Sequence, residues 1–81
     1  MTKTNNIGTA TATLAELRQA AGLTREDLAR KLQISKVAVG KWETGDAYPS
    51  MDLILELGDA LGVTDYQAFL RMLRRTRRGA L

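Results

Sequence analysis

From Leu14 onward the apolar positions of this chain recur at spacings of three and four, in five short runs separated by Gly, Pro, Ser and Thr. That is the period of helices that bury one face. The first run, Leu14 and Leu17 extended by Ala20 and Ala21, follows Thr13 and Glu16 at capping-box spacing and stops at Gly22, after which Leu23 tucks back beneath the turn. The second, Leu28, Ala29 and Leu32, follows Thr24, with Asp27 three residues on as an acidic version of the same cap. Ser35 opens a third helix, about residues 36–43, whose inward positions are Val39 and Trp42 and whose stop is Gly45. After a breaker-rich loop through Pro49, Ser50 caps a fourth helix with Leu53, Ile54, Leu57, Ala60 and Leu61 on its buried face. Gly62 ends it. Thr64 and Gln67 predict a capping box for a fifth helix that opens at Asp65 and carries Tyr66, Phe69, Leu70 and Leu73 on one face. No strand pattern and no internal repeat is present, so the expected fold class is all-α, a compact five-helix domain.

Residues 24–45 organise the rest. So few residues separate the second and third helices that the two cannot lie antiparallel and must cross steeply. That geometry is the helix-turn-helix, in which the second helix projects its N-terminal outer face from the body. An ordinary pair of core helices in a small bundle has the same apolar pattern.

Composition narrows the choice. Eighty-one residues make one domain. With no cysteine and no histidine, disulfides are excluded and the common zinc sites have no ligands, so no metal and no cofactor is expected. No stretch approaches the length of a membrane span, and the N-terminus lacks a signal peptide's apolar core, so the expected location is cytoplasmic. The net charge is +3, and it is unevenly spread: Arg71, Arg74, Arg75, Arg77 and Arg78 stand near the end without an acid, whereas 46–65 carries Asp46, Asp52, Glu56, Asp59 and Asp65 without a base. One positive and one negative surface suit a protein that presents one side to a polyanion. The organisation this predicts is a disordered arm at 1–12, a domain at 13–73 and a basic tail at 74–81.

From about Leu14 to Leu70 the chain resembles the lambda repressor/Cro-type helix-turn-helix family. The landmarks are Leu17-Arg18, Gly22-Leu23-Thr24, Leu28-Ala29, Ile34-Ser35 to Val39, Trp42-Glu43-Thr44-Gly45, Pro49 and Leu61-Gly62-Val63. The resemblance implies a five-helix lambda-repressor-like domain with the DNA-reading unit at helices 2 and 3. One position departs from it: Gln33 stands where similar proteins usually carry a left-handed glycine, which implies about 1 kcal/mol of backbone strain or a remodelled turn.

The resemblance also implies roles. Lys36 and Val37 stand where base edges are read, with Gly40 beside Lys41 one turn further along the same face. Lysine can donate to guanine and Val37 can touch a thymine methyl, although phosphate contact or plain solvation would equally occupy the two lysines. Arg25, at the start of helix 2, is the expected phosphate clamp, joined by the Thr44 hydroxyl and by amides of the loop from Gly45 to Tyr48. Arg18 and Glu43 are expected to form a partly shielded ion pair.

The function expected is sequence-specific binding of double-stranded DNA by a transcriptional regulator, a repressor acting as a homodimer on a palindromic operator. Tyr66, Phe69, Leu70 and Leu73 are the expected dimer contact. The alternative is an antitoxin-type or other protein-interaction module that binds a partner protein with or without promoter DNA. An enzyme is not expected, because the carboxylates sit at caps and on the surface. The arginine-rich run is expected to continue the fifth helix, no breaker appearing before Gly79, and to add non-specific, salt-dependent affinity through flanking phosphates; helix-dipole complementarity with solubility is the plainer alternative.

Overall fold

The chain folds around the two central helices because their neighbours are capped and stopped by local chemistry. A computed structural model describes residues 12–76, which form α1 (Leu14–Ala20), α2 (Arg25–Leu32), α3 (Lys36–Thr44), α4 (Met51–Leu61) and α5 (Tyr66–Thr76), with no strand among the described residues. At α1 and α2 the capping boxes close in both directions: Thr13 with Glu16, and Thr24 with Asp27. Ser35 and Ser50 accept from the third residue of α3 and α4.

The stops share one geometry. Gly22, Gly45, Gly62 and Gln33 all have positive φ. In each case the next residue's amide reaches back to a carbonyl five positions earlier: Leu23 to Arg18, Ile34 to Ala29, Asp46 to Lys41 and Val63 to Gly58. This is the Schellman closure, which satisfies carbonyls that the helix end leaves open. Gln33 sits at φ 58° and ψ 44°, a left-handed conformation that costs an L-residue about 1 kcal/mol. The turn therefore keeps its geometry and Gln33 accepts the strain.

The core joins Leu14 and Leu17 of α1, Leu28, Ala29 and Leu32 of α2, Val39 and Trp42 of α3, Ile54 and Leu57 of α4, and Phe69, Met72 and Leu73 of α5. Helix α2 packs on both α3 and α4, and α1 packs on α3. Ala29 is buried in α2, beside the turn into α3, where a larger side chain would separate the pair.

Several expectations need correction. Ala12 is no part of an arm: it is 1% exposed in the core, and its carbonyl accepts from Arg75 Nη2 at 3.2 Å. Residues 1–11 of the expected arm, and 77–81 of the tail with Arg77 and Arg78, lie outside the described residues. Helix α5 runs to Thr76, so the first residues of the basic run, 74–76, continue the helix as its composition predicts. It begins at Tyr66, and its cap is Asp65 rather than Thr64: Asp65 Oδ1 accepts the Ala68 amide at 3.1 Å, where a carboxylate also complements the helix dipole. The buried face of α4 is narrower than expected, with Leu53, Ala60 and Leu61 only half-buried.

The dimer face changes most. Phe69 is fully buried and Leu73 is 3% exposed, because α5 inserts them with Met72 between the other helices. Those two are core and have no surface to offer a second copy. Tyr66 and Leu70 are half-buried, and Tyr66 is held against α4, its hydroxyl 3.2 Å from both the Leu55 carbonyl and Asp59 Oδ1. Gly58 makes that contact possible, since a Cβ there would stand 2.5 Å from the Tyr66 hydroxyl.

Candidate nucleic-acid interface

Helix α3 is anchored from beneath by Val39 and Trp42, 0% and 6% exposed. That anchoring turns its first and second turns outward. Val37 is 65% exposed, an unusual setting for a branched apolar residue, and Lys36 and Lys41 are exposed on the same helix. Gly40 lies among them, and a Cβ added to it would meet nothing within 4 Å. The absence of a side chain there is not imposed by the protein's own packing.

The start of α2 supplies the facing wall. Arg25 is its first residue, and with Lys36, Val37, Gly40, Lys41, Thr44 and Asp46 it lines one open concavity of about 540 Å³. The structure thus gathers all four residues expected to read bases and two of the four expected to touch phosphate. It also adds Asp46, a residue whose acidic character gave no sign of a place beside the lysines.

The other expected phosphate contacts do not line it. Gly45 is buried at the end of α3, where its amide donates to the Lys41 and Trp42 carbonyls, and the Asp46 and Ala47 amides both return to the Lys41 carbonyl. Those three amides are consumed in closing the helix and are not presented to a phosphate. Tyr48 is half-buried against the core. Thr44 lines the concavity, but its hydroxyl stands 2.8 Å from Asp46 Oδ2 and 3.2 Å from the Lys41 carbonyl. One hydroxyl proton serves one of those acceptors, so Thr44 would have to give up a bond to donate to DNA.

Beneath the surface, Glu43 holds two arginines. Its Oε2 accepts from Arg18 Nε at 2.6 Å, and its Oε1 accepts from Arg25 Nε at 2.8 Å. The Glu43 side chain is 3% exposed and that of Arg18 10%. Arg18 also donates Nη1 to the Leu23 carbonyl at 2.9 Å, which ties α1 to the turn before α2. A buried acid that meets two guanidinium groups and no other described cation is well compensated. The Arg18–Glu43 half of this arrangement is the pair that the family resemblance implies; the Arg25 half, bridging 18 positions, has no local signal in the sequence. Elsewhere on α2, Arg30 faces Glu26 and Asp27 at 3.8 and 3.4 Å on an open surface, where such pairs contribute little.

Among the described residues no acids are grouped to hold a metal, and no helix is long and apolar enough to cross a membrane.

Comparison with known proteins agrees with this geometry. A helix-turn-helix domain family profile matches residues 10–68. The HTH-type transcriptional activator BcrR of Enterococcus faecalis is 39% identical over 51 residues, which are 63% of this chain and 25% of that protein. The matched segment thus spans about a quarter of that relative's length. No solved structure gives a significant match. Because the profile runs through α1 to α4 and into α5, the likeness includes the helices that brace the motif as well as the motif itself, and the chain belongs to the helix-turn-helix domain family.

Proposed function

We propose that this protein is a sequence-specific double-stranded-DNA-binding transcriptional regulator, a cytoplasmic repressor of the Cro/C1 type that occupies a palindromic operator as a homodimer. The observation that carries the reading is the outer face of α3: an apolar Val37 at 65% exposure, flanked by Lys36 and Lys41, with Arg25 across a shallow concavity. In the major groove this face offers ammonium donors to guanine and a methyl contact to thymine. Arg25 meets a backbone phosphate at the N-terminus of α2.

Repression needs only occupancy, which this face supplies. Activation needs a further surface that touches the transcription machinery, and the name of the Enterococcus faecalis relative makes it the second reading for output. A homodimer would have to use the exposed edges of Tyr66 and Leu70 together with neighbouring surface, since Phe69 and Leu73 are core. A module that binds a partner protein, with or without promoter DNA, is favoured by one observation: Met51 and Leu55 of α4 are 60% and 50% exposed and are interleaved with Asp52 and Glu56.

The test is a binding selection from random duplexes with purified protein. The expected product is a pair of inverted half-sites centred one helical turn apart. Recovery of no enriched sequence, with no retained duplex at low salt, would reject DNA binding. A single unrepeated half-site would reject the dimer.

A further inference from the structure

Neutralising the buried Arg18 requires one carboxylate, and a one-to-one pair with Glu43 would suffice. The second oxygen of Glu43 is used differently. It accepts from Nε of Arg25, whose side chain is 48% exposed and lines the concavity beside Lys36 and Val37. Held at Nε, an arginine keeps both terminal nitrogens for another acceptor, because its five donors form a rigid planar fork. A lysine concentrates its three donors on one ammonium, so it cannot be held at one nitrogen while a separate pair of nitrogens faces a phosphate.

We propose that Glu43 is a positioning residue for the DNA backbone contact: it fixes the Arg25 guanidinium by Nε so that the terminal nitrogens are presented to a duplex phosphate. The inference rests on the DNA-binding reading above. It makes Glu43 a link between the buried pair with Arg18 and the DNA surface, and it assigns Arg25 by its fork geometry as well as its charge. A positioned fork also loses less side-chain freedom when the duplex arrives, which favours binding without adding a contact.

The experiment compares wild type, Arg25→Lys and Arg25→Ala on one selected duplex, together with the Arg25 Nε–H signal of the free protein by NMR in wild type and Glu43→Gln. Lysine conserves the charge, and both Arg25 substitutions are on the surface, so folding is retained. The expected result is that Arg25→Lys loses about tenfold in affinity, close to Arg25→Ala. The Nε–H proton should exchange slowly with solvent in wild type and fast in Glu43→Gln, where a donor NH2 replaces one of the two accepting oxygens and the buried Arg18 claims the neutral oxygen that is left. Arg25→Lys within about twofold of wild type would mean that Arg25 acts as a point charge and would overturn the proposal. An Nε–H proton equally protected in Glu43→Gln, or an Arg25→Ala variant that binds like wild type, would overturn it as well. If wild type binds no duplex at all, the DNA reading fails and takes the phosphate role with it. The Nε–H comparison would still report whether Glu43 holds Arg25.

Discussion

At residue 33 the backbone enters a region that glycine occupies at the three equivalent stops, Gly22, Gly45 and Gly62. Gln33→Gly should therefore raise stability, by about 1 kcal/mol less the entropy that glycine adds to the unfolded chain. Thermal unfolding checks this, and a lower midpoint would mean that the Gln33 side chain contributes more than its backbone loses. Gly40 is the opposite case. Nothing lies within 4 Å of a Cβ there, so Gly40→Ala should stabilise the free domain by about 1 kcal/mol through helix propensity. If the duplex approaches α3 closely, the same change should weaken DNA binding, and measuring both quantities on one variant separates the effects. Asp27 adds a pH dependence. Hydrogen bonds from the Thr24 backbone and then its side chain, with a smaller contribution from Arg30, hold its carboxyl below the usual range. A depressed folded value means that the cap's contribution is complete above the ordinary carboxylate value, about 4, and is lost as pH falls through the lower folded value. Melts between pH 7 and pH 3 should fall less steeply for Asp27→Asn than for wild type; identical slopes would show that the capping carboxylate is not linked to folding.

At the scale of elements, the parts legible in the sequence are those set by residues close together in the chain. Thr13 with Glu16, Thr24 with Asp27, Ser35 and Ser50 each state a helix start in three or four positions, and each is the observed cap. The start of α5 was misplaced by one residue, because Thr64 and Asp65 are adjacent cap types and it is Asp65 that accepts the Ala68 amide. What local patterns could not carry is packing between helices. Gly58 is an interior glycine of an amphipathic helix, and it is the floor on which Tyr66 rests. Gly58→Ala should destabilise by about 1–3 kcal/mol through overpacking, in spite of alanine's better propensity. In a Tyr66→Leu background the same substitution should become neutral or stabilising, and a penalty that persisted there would place the clash elsewhere. The site was legible to a similar degree. Lys36, Val37, Gly40 and Lys41 are implied by the family resemblance, and they share the outer side of α3 because Val39 and Trp42 face inward. The consumed amides of Gly45 to Ala47 do not, because they depend on how the helix end closes onto the Lys41 carbonyl.

For the whole molecule, the α2–turn–α3 unit is held from two sides. Arg18 and Glu43 bind it to α1 and α4 packs against α2, while Arg75 of α5 fastens the chain ahead of α1 at Ala12. Leu73 is core, so a cut after Met72 would test folding rather than the basic tail. Truncation after Thr76 removes Arg77 and Arg78 and keeps all of α5. If the tail reaches flanking phosphates, that truncation should preserve sequence preference and lower the slope of log affinity against log salt by as much as about 2. Equal slopes on a duplex with long flanks would assign the arginines to solubility. The central claim, that α3 reads sequence while Arg25 grips the backbone, is tested most directly by repeating the random-duplex selection with Val37→Ala and Arg25→Ala beside wild type. The account predicts that Val37→Ala changes the preferred half-site, whereas Arg25→Ala recovers the wild-type half-site at about tenfold lower affinity. An unchanged half-site for Val37→Ala together with an altered one for Arg25→Ala would contradict it.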